Sequence, residues 1–223
     1  MCTTGATLET MSVHSSPGPG GALPALSPML AVIGPLPGPE TEAEYAYETL
    51  WNGARVIVHL PGDGSVRLLS GQDVTAQYPE LQALAALLPG PEAVLDGEIV
   101  TLDGQGRASV ARLQQRMSLH HPTAVAHARE DLPVQLMLYD ILYLGEPTLQ
   151  LPYTARRDLL DDLALAAPGI TVPPAWPAMA AEALAHTLTE GYDGVVAKRL
   201  TSPYLPGRRS RDWIKIKHLK AAK

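Results

Sequence analysis

Two short β-rich runs, at 54–60 and 65–70, flank Pro61-Gly62-Asp63-Gly64, and this pattern predicts a hairpin with a four-residue loop. Leu81, Leu84, Ala85 and Leu88 then recur at helical spacing after Tyr78-Pro79-Glu80, with Pro89-Gly90 ending the element. Residues 94–100 read as a strand, 109–117 as a short helix and 134–144 as a long apolar strand. A helix follows over 154–166, with Arg156, Arg157, Asp161 and Asp162 expected on a solvated face. Another follows over 178–190, ended by Gly191 at the left-handed cap position. At the end, strand alternation over Trp213-Ile214-Lys215-Ile216-Lys217 sets Trp213, Lys215 and Lys217 on one face and both isoleucines on the other. Residues 1–27 contain Ser-Ser-Pro-Gly-Pro-Gly-Gly and little periodicity, so they read as a disordered leader. Periodicity alone supports a mixed α/β class.

Composition narrows this picture. With 223 residues and 46% hydrophobic content the chain can bury one substantial core, and a single folded domain over 28–223 is expected. The one cysteine, Cys2, excludes an internal disulfide and points to a reducing compartment. No Lys or Arg precedes Arg55 to flank a signal peptide, and no apolar run reaches the roughly 18 to 20 residues that span a bilayer. The expectation is a cytoplasmic protein with no membrane partner. The net charge of −6 is unevenly spread: residues 1–197 hold 8 of the 17 Lys and Arg and 22 of the 23 Asp and Glu, whereas 198–223 hold the other 9 and the other one. Clustered cations of this kind attract polyanions over the local Debye length, although a solvated basic tail has the same composition.

Candidate chemistry enters with Tyr47-Glu48-Thr49-Leu50-Trp51-Asn52-Gly53-Ala54-Arg55. This stretch closely resembles the first motif of ATP-dependent DNA ligases, above all bacterial end-joining ligases, which reads Tyr/Phe-Glu-x-Lys-Trp-Asp-Gly-x-Arg. Glu48, Trp51, Gly53 and Arg55 fit, while the family's lysine falls on Leu50 and its aspartate on Asn52. Further matches follow in order. Pro28-Met29-Leu30-Ala31 is similar to the segment ahead of the first motif, and Asp96-Gly97-Glu98 to the third motif. Gln114-Gln115-Arg116 resembles a Leu-Gln-Gln-Arg run, and Tyr139-Asp140 stands where the family has Phe-Asp. Asp193-Gly194-Val195-Val196-Ala197-Lys198 resembles the fourth motif with aspartate for glutamate, Ser202 to Ser210 is very similar to end-joining ligases, and Trp213 to Lys217 closes the pattern. Asp-Gly-Glu alone is as readily a turn as a site, and an exposed edge strand explains the last run on its own. The resemblance rests on ordered matches across 28–217.

The resemblance implies an α+β fold, the nucleotidyltransferase fold of the ligase superfamily, with two mainly antiparallel sheets packed with helices and a nucleotide cleft between them. It implies ATP contacts from Glu48 at the adenine edge, Arg55 at ribose or phosphate, Tyr139 stacked on the base, and Lys198, Lys215 and Lys217 at the phosphates. Glu98 and Asp193 are placed by it at a Mg²⁺ ion, and Arg208, Arg209 and Arg211 are expected to face DNA. A lysine amine attacks the α-phosphate in the family reaction and an aliphatic side chain has no lone pair with which to do so, so Leu50 implies nucleotide binding without self-adenylation. The chain stops six residues after Lys217, leaving no room for the family's oligonucleotide-binding barrel. Ser70-Gly71-Gln72-Asp73 also lacks the arginine of the usual Ser-Arg-Asn-Gly. The implied role is a stand-alone ligase-like adenylation domain, a pseudoenzyme of DNA repair and recombination. Its implied partners are nicked or broken DNA, a repair protein or a separate barrel. The rival is a non-enzymatic accessory module that uses its basic C-terminal segment.

Overall fold

The computed structural model describes residues 23–218. The strands, in chain order, are β1 Leu30–Ile33, β2 Tyr45–Thr49, β3 Ala54–Leu60, β4 Arg67–Leu69, β5 Ala93–Thr101, β6 Val134–Leu144, β7 Glu146–Pro147, β8 Ile170–Thr171, β9 Ala175–Pro177, β10 Gly194–Arg199 and β11 Arg209–Lys217. The helices are α1 Leu84–Leu87, α2 Val110–Met117, α3 Pro122–Asp131, α4 Tyr153–Asp162 and α5 Ala180–Thr189.

Two sheets form, with strand orders β1-β11-β10-β2-β9 and β4-β3-β5-β6-β7. Seven of the nine strand pairs are antiparallel; β1 runs parallel to β11, and β8, which joins the second sheet at β6, runs parallel to it. The expected α+β architecture of two mainly antiparallel sheets with helices is the one observed. The β3–β4 hairpin forms, but β4 begins at Arg67 rather than at 65, so the connection runs over 61–66 and is longer than the predicted four residues; Gly62 and Gly64 hold positive φ of 79° and 85° within it. The largest core joins β3, β5 and β6 to the 79–88 segment and α4 through Val56, Leu81, Leu84, Leu138 and Leu160. A second joins the sheets around Met29, Ile57, Tyr204 and Trp213, and a third seats α5 on β2 and β10. The alternation of β11 is realised, with Trp213 in the inter-sheet cluster and both isoleucines in the α5 cluster.

Three further expectations change. The helix predicted over 81–88 is mostly a 3₁₀ segment, Pro79–Ala83, followed by one α turn. The turn is too short to present a regular 3.6-residue stripe. Part of the 1–27 leader packs, because Leu23 and Leu26 lie against the inter-sheet cluster; residues 1–22 fall outside the described range. The third change concerns α4. Its face is not solvated: Tyr153, Arg156, Arg157 and Leu160 are all buried, and they follow helical spacing. Arg156 is buried because Asp140 of β6 waits for it, with Nε–Oδ1 at 2.7 Å and a second nitrogen at 3.0 Å from Oδ2. Asp161 remains outside, 51% exposed, and pairs with Arg157 across one turn.

Candidate functional site

A cleft opens between the sheets, lined by residues of both. β2 ends at Thr49, and Leu50 is tied by its N–H to the Gly194 carbonyl at 3.0 Å. The chain then turns through Asn52, whose φ of 55° is one that asparagine tolerates better than most residues. Next comes Gly53, where a Cβ would collide with the Ile99 carbonyl. Its N–H donates to the Glu98 carboxylate. The turn therefore delivers Leu50 to the cleft wall, 4% exposed, between Thr49 and Trp51. The same cleft is lined by Glu98 and Tyr139 from the second sheet, and by Val196, Lys198, Arg209, Trp213 and Lys215 from the first.

Two buried ion pairs set the electrostatics. Lys198 is 2% exposed, with Nζ 2.7 Å from Glu48 Oε2 and ring centroids of Trp213, Tyr139 and Tyr153 at 4.5, 4.6 and 5.2 Å. Burial pulls its ammonium below the ordinary lysine range, against the opposing pull of Glu48 and Asp140. The other Glu48 oxygen accepts from the Tyr153 hydroxyl, and Arg157 lies 3.8 Å away. Arg55 forks onto Asp96 at 2.6 and 2.5 Å, and Asp96 also accepts from Tyr204, whose oxygen receives the Met29 N–H at 2.8 Å. Tyr139 therefore has two cations near its ring, the Lys198 amine 4.6 Å and the Arg55 guanidinium carbon 4.9 Å from its centroid. Burial pushes the Glu98 carboxyl above its ordinary value, and Arg55 opposes the shift. Arg209 and Lys215 complete the lining without a carboxylate partner within ion-pair distance among the described residues.

Residues 28–217 match the family model for the ATP dependent DNA ligase domain. The chain belongs to the ATP-dependent DNA ligase family. The multifunctional non-homologous end joining DNA repair protein LigD of Mycobacterium tuberculosis is 41% identical over 196 residues, covering 86% of this chain and 24% of that protein. A probable DNA ligase of Streptomyces coelicolor is 36% identical over 183 residues, covering 77% of this chain and 35% of that one. A mycobacterial DNA ligase D complexed with ATP and MES superimposes with a TM-score of 0.73 at 40% identity, covering 87% of this chain and 61% of that one. The ligase domain of M. tuberculosis LigD gives 0.73 at 39%, covering 86% and 60%. The chain spans about a quarter of the length of the LigD protein it matches.

Within this ligase domain the fold gathers Glu48, Leu50, Arg55, Glu98, Tyr139, Lys198, Arg209 and Lys215 around one cleft. It leaves others outside. Lys217 is exposed at the end of β11 opposite Gly194, so the expected pair of adjacent ammonium groups reduces to Lys215 alone. Asn52 and Asp193 line a separate small cavity at the cleft mouth with Trp51 and Tyr192, and the Asn52 amide donates to the Asp193 carboxylate. The two acids expected at a metal ion, Glu98 and Asp193, therefore open onto different cavities and each accepts a donor from the 52–53 turn. No three His, Cys, Asp or Glu side chains converge among the described residues. Arg208, Arg209 and Arg211 are all exposed; Arg209 donates to the Ala31 carbonyl, and Arg211 lines an apolar groove with Ile33, Leu36 and Arg199. No helix among the described residues is long and apolar enough to cross a membrane.

The sequence reading missed Tyr153 and Arg157, which grip Glu48 from behind, and the Asp96–Tyr204–Met29 relay that holds Arg55. For the first pair a signal existed, the 153-156-157-160 stripe, had charged residues been admitted to a buried face. For the relay none did, since its members are joined across 108 positions.

Proposed function

We propose that this chain is a ligase-type adenylation domain that binds a nucleotide in the inter-sheet cleft and does not form a covalent adenylate. The observation that carries this reading is Leu50, an aliphatic side chain at the cleft wall where the family motif brings its lysine. Of the two amines that line the cleft, Lys198 is committed to Glu48 and has three aromatic rings around it, a setting that holds rather than frees it, and Lys215 stands on β11 rather than in the motif that carries the family's lysine. Nucleotide binding draws on Tyr139 and Trp213 as aromatic wall and on Arg209 and Lys215 as phosphate partners. A divalent ion enters this reading as companion to the phosphates, with Glu98 the carboxylate on the cleft wall and Asp193 on the neighbouring cavity. The name of the M. tuberculosis LigD relative supports a place in end-joining DNA repair; recombination, broken ends as the polyanion partner, a repair protein or separate barrel alongside and a cytoplasmic place of action are part of the proposal itself.

A second reading has its own observation. Arg208 and Arg211 are exposed and without a carboxylate within ion-pair distance among the described residues, as a DNA-facing edge requires. Nucleotide and DNA titrations separate the two. Thermal stabilisation by nucleotide, about 2.7 kcal/mol at a hundred times the dissociation constant, supports the cleft reading. Salt-sensitive DNA binding with no nucleotide effect supports the accessory module instead.

A further inference from the structure

We infer that the β1 edge of the first sheet is a docking groove for a short extended peptide of another protein, one that carries aliphatic side chains and carboxylates. The groove lies on the sheet face away from the cleft, where α5 packs on β2 and β10. That face continues past the helix: Ile214 of β11 stands beside Val32 of β1 in register, and Tyr45 belongs both to the α5 cluster and to the open stretch. The segment that follows β1, Gly34-Pro35-Leu36-Pro37-Gly38, completes the lining. β1 is the last strand of its sheet, so no strand flanks its outer side. There Ile33 is 76% exposed, more than any other large hydrophobic side chain among the described residues, and Leu36 is 39% exposed. Apolar surface on an open sheet edge is a template for an added strand. Pro35 and Pro37 have no N–H to donate, which confines such pairing to the four residues of β1.

Charge selects the occupant. Arg199 and Arg211 line the groove, and no acid does. Arg199 is already paired with Glu44 and, at 3.4 Å, with Asp212. Arg211 is exposed and has no carboxylate within ion-pair distance among the described residues. Two copies meeting through this face would bring the arginines of both to one interface with no acid from either lining, which disfavours a second copy. In the groove a phosphate backbone would meet one unpaired guanidinium among aliphatic and prolyl groups, unlike the polar, strongly basic surfaces that nucleic acid selects. A carboxylate flanked by aliphatic side chains answers both features of the groove.

Selection of a random displayed-peptide library on the full chain, followed by titration of the enriched sequences as synthetic peptides, tests this. The enriched peptides are expected to combine aliphatic residues with Asp or Glu. Leu36→Lys should weaken their binding by at least about tenfold, and Arg211→Glu by about fivefold or more. A peptide with lysine in place of its acids should regain binding to Arg211→Glu, which a variant that merely misfolded could not show. Leu188→Lys, at an exposed apolar site on α5 outside the groove, should leave binding within about twofold. Enrichment of basic peptides, no enrichment, or binding indifferent to both groove variants overturns the inference. So does a dimer in sedimentation that Leu36→Lys dissolves, which would make a second copy the occupant, and so does duplex DNA that displaces the peptides.

Discussion

Replacing Lys198 by Met tests whether the cleft is held by its buried ion pair. Lys198 and Glu48 are 2% and 6% exposed at their side chains, so neither charge is screened by water. Removing one partner of a buried pair strands the other and costs about 3 to 5 kcal/mol. Glu48 keeps the Tyr153 hydroxyl and an arginine at 3.8 Å, which places the loss near the lower figure. A loss of about 3 kcal/mol corresponds to roughly 6 to 12 °C in melting temperature for a chain of this length. Glu48→Gln removes the other charge, and the double variant should be less destabilised than the sum of the two singles by more than about 1 kcal/mol. Urea unfolding followed by tryptophan emission is the assay, with Trp213 lying 4.5 Å from the Lys198 amine. A Lys198→Met loss below about 1 kcal/mol with unchanged denaturant dependence, or strictly additive singles, would refute the reasoning.

Glu98→Gln should stabilise the protein at neutral pH. The Glu98 carboxyl is pushed above its ordinary 4.5 by burial, so its penalty grows as pH rises from 4.5 through the raised folded-state value and is complete above it. The gain should vanish in melts below pH 4.5, and a gain equal at both ends would contradict the linkage. Gly53→Ala should lower stability by about 1 to 3 kcal/mol, because its methyl meets the Ile99 carbonyl and displaces the turn that carries Leu50; an unchanged urea midpoint would count against that contact. Leu50→Lys combined with Asn52→Asp is expected to gain detectable self-adenylation, and Asn52→Asp alone none. A double variant that binds nucleotide yet stays unlabelled would mean that Leu50 is not the main defect.

Much of this was legible where a residue's environment follows from local pattern. The strand at 134–144, read as a long apolar run, and the two faces of β11, read from alternation, appear as expected, and the β3–β4 hairpin forms with a longer connection. Ordered motif matches carried the gathering of Glu48, Arg55, Glu98, Tyr139 and Lys198, which no local pattern contains. The failures share one cause. Arg156 and Arg157 were read as solvated because charge usually marks the surface, whereas Asp140 and Glu48, 16 and 109 positions away, supply the partners that permit burial. The parallel pairing of β1 with β11 and the parting of Asp193 from Glu98 are likewise set by distant segments. β8 and β9, of two and three residues, are too short to show any period.

The central claim is that the cleft keeps its walls and lacks its nucleophile. Incubation with α-labelled ATP and Mg²⁺, followed by denaturing electrophoresis, tests it most directly. No protein-bound label is predicted, since Leu50 offers no lone pair and Lys198 is locked against Glu48. A labelled band that survives denaturation would contradict the account, and mapping it to Lys198 or Lys215, the two amines of the cleft lining, would identify the one that had taken over.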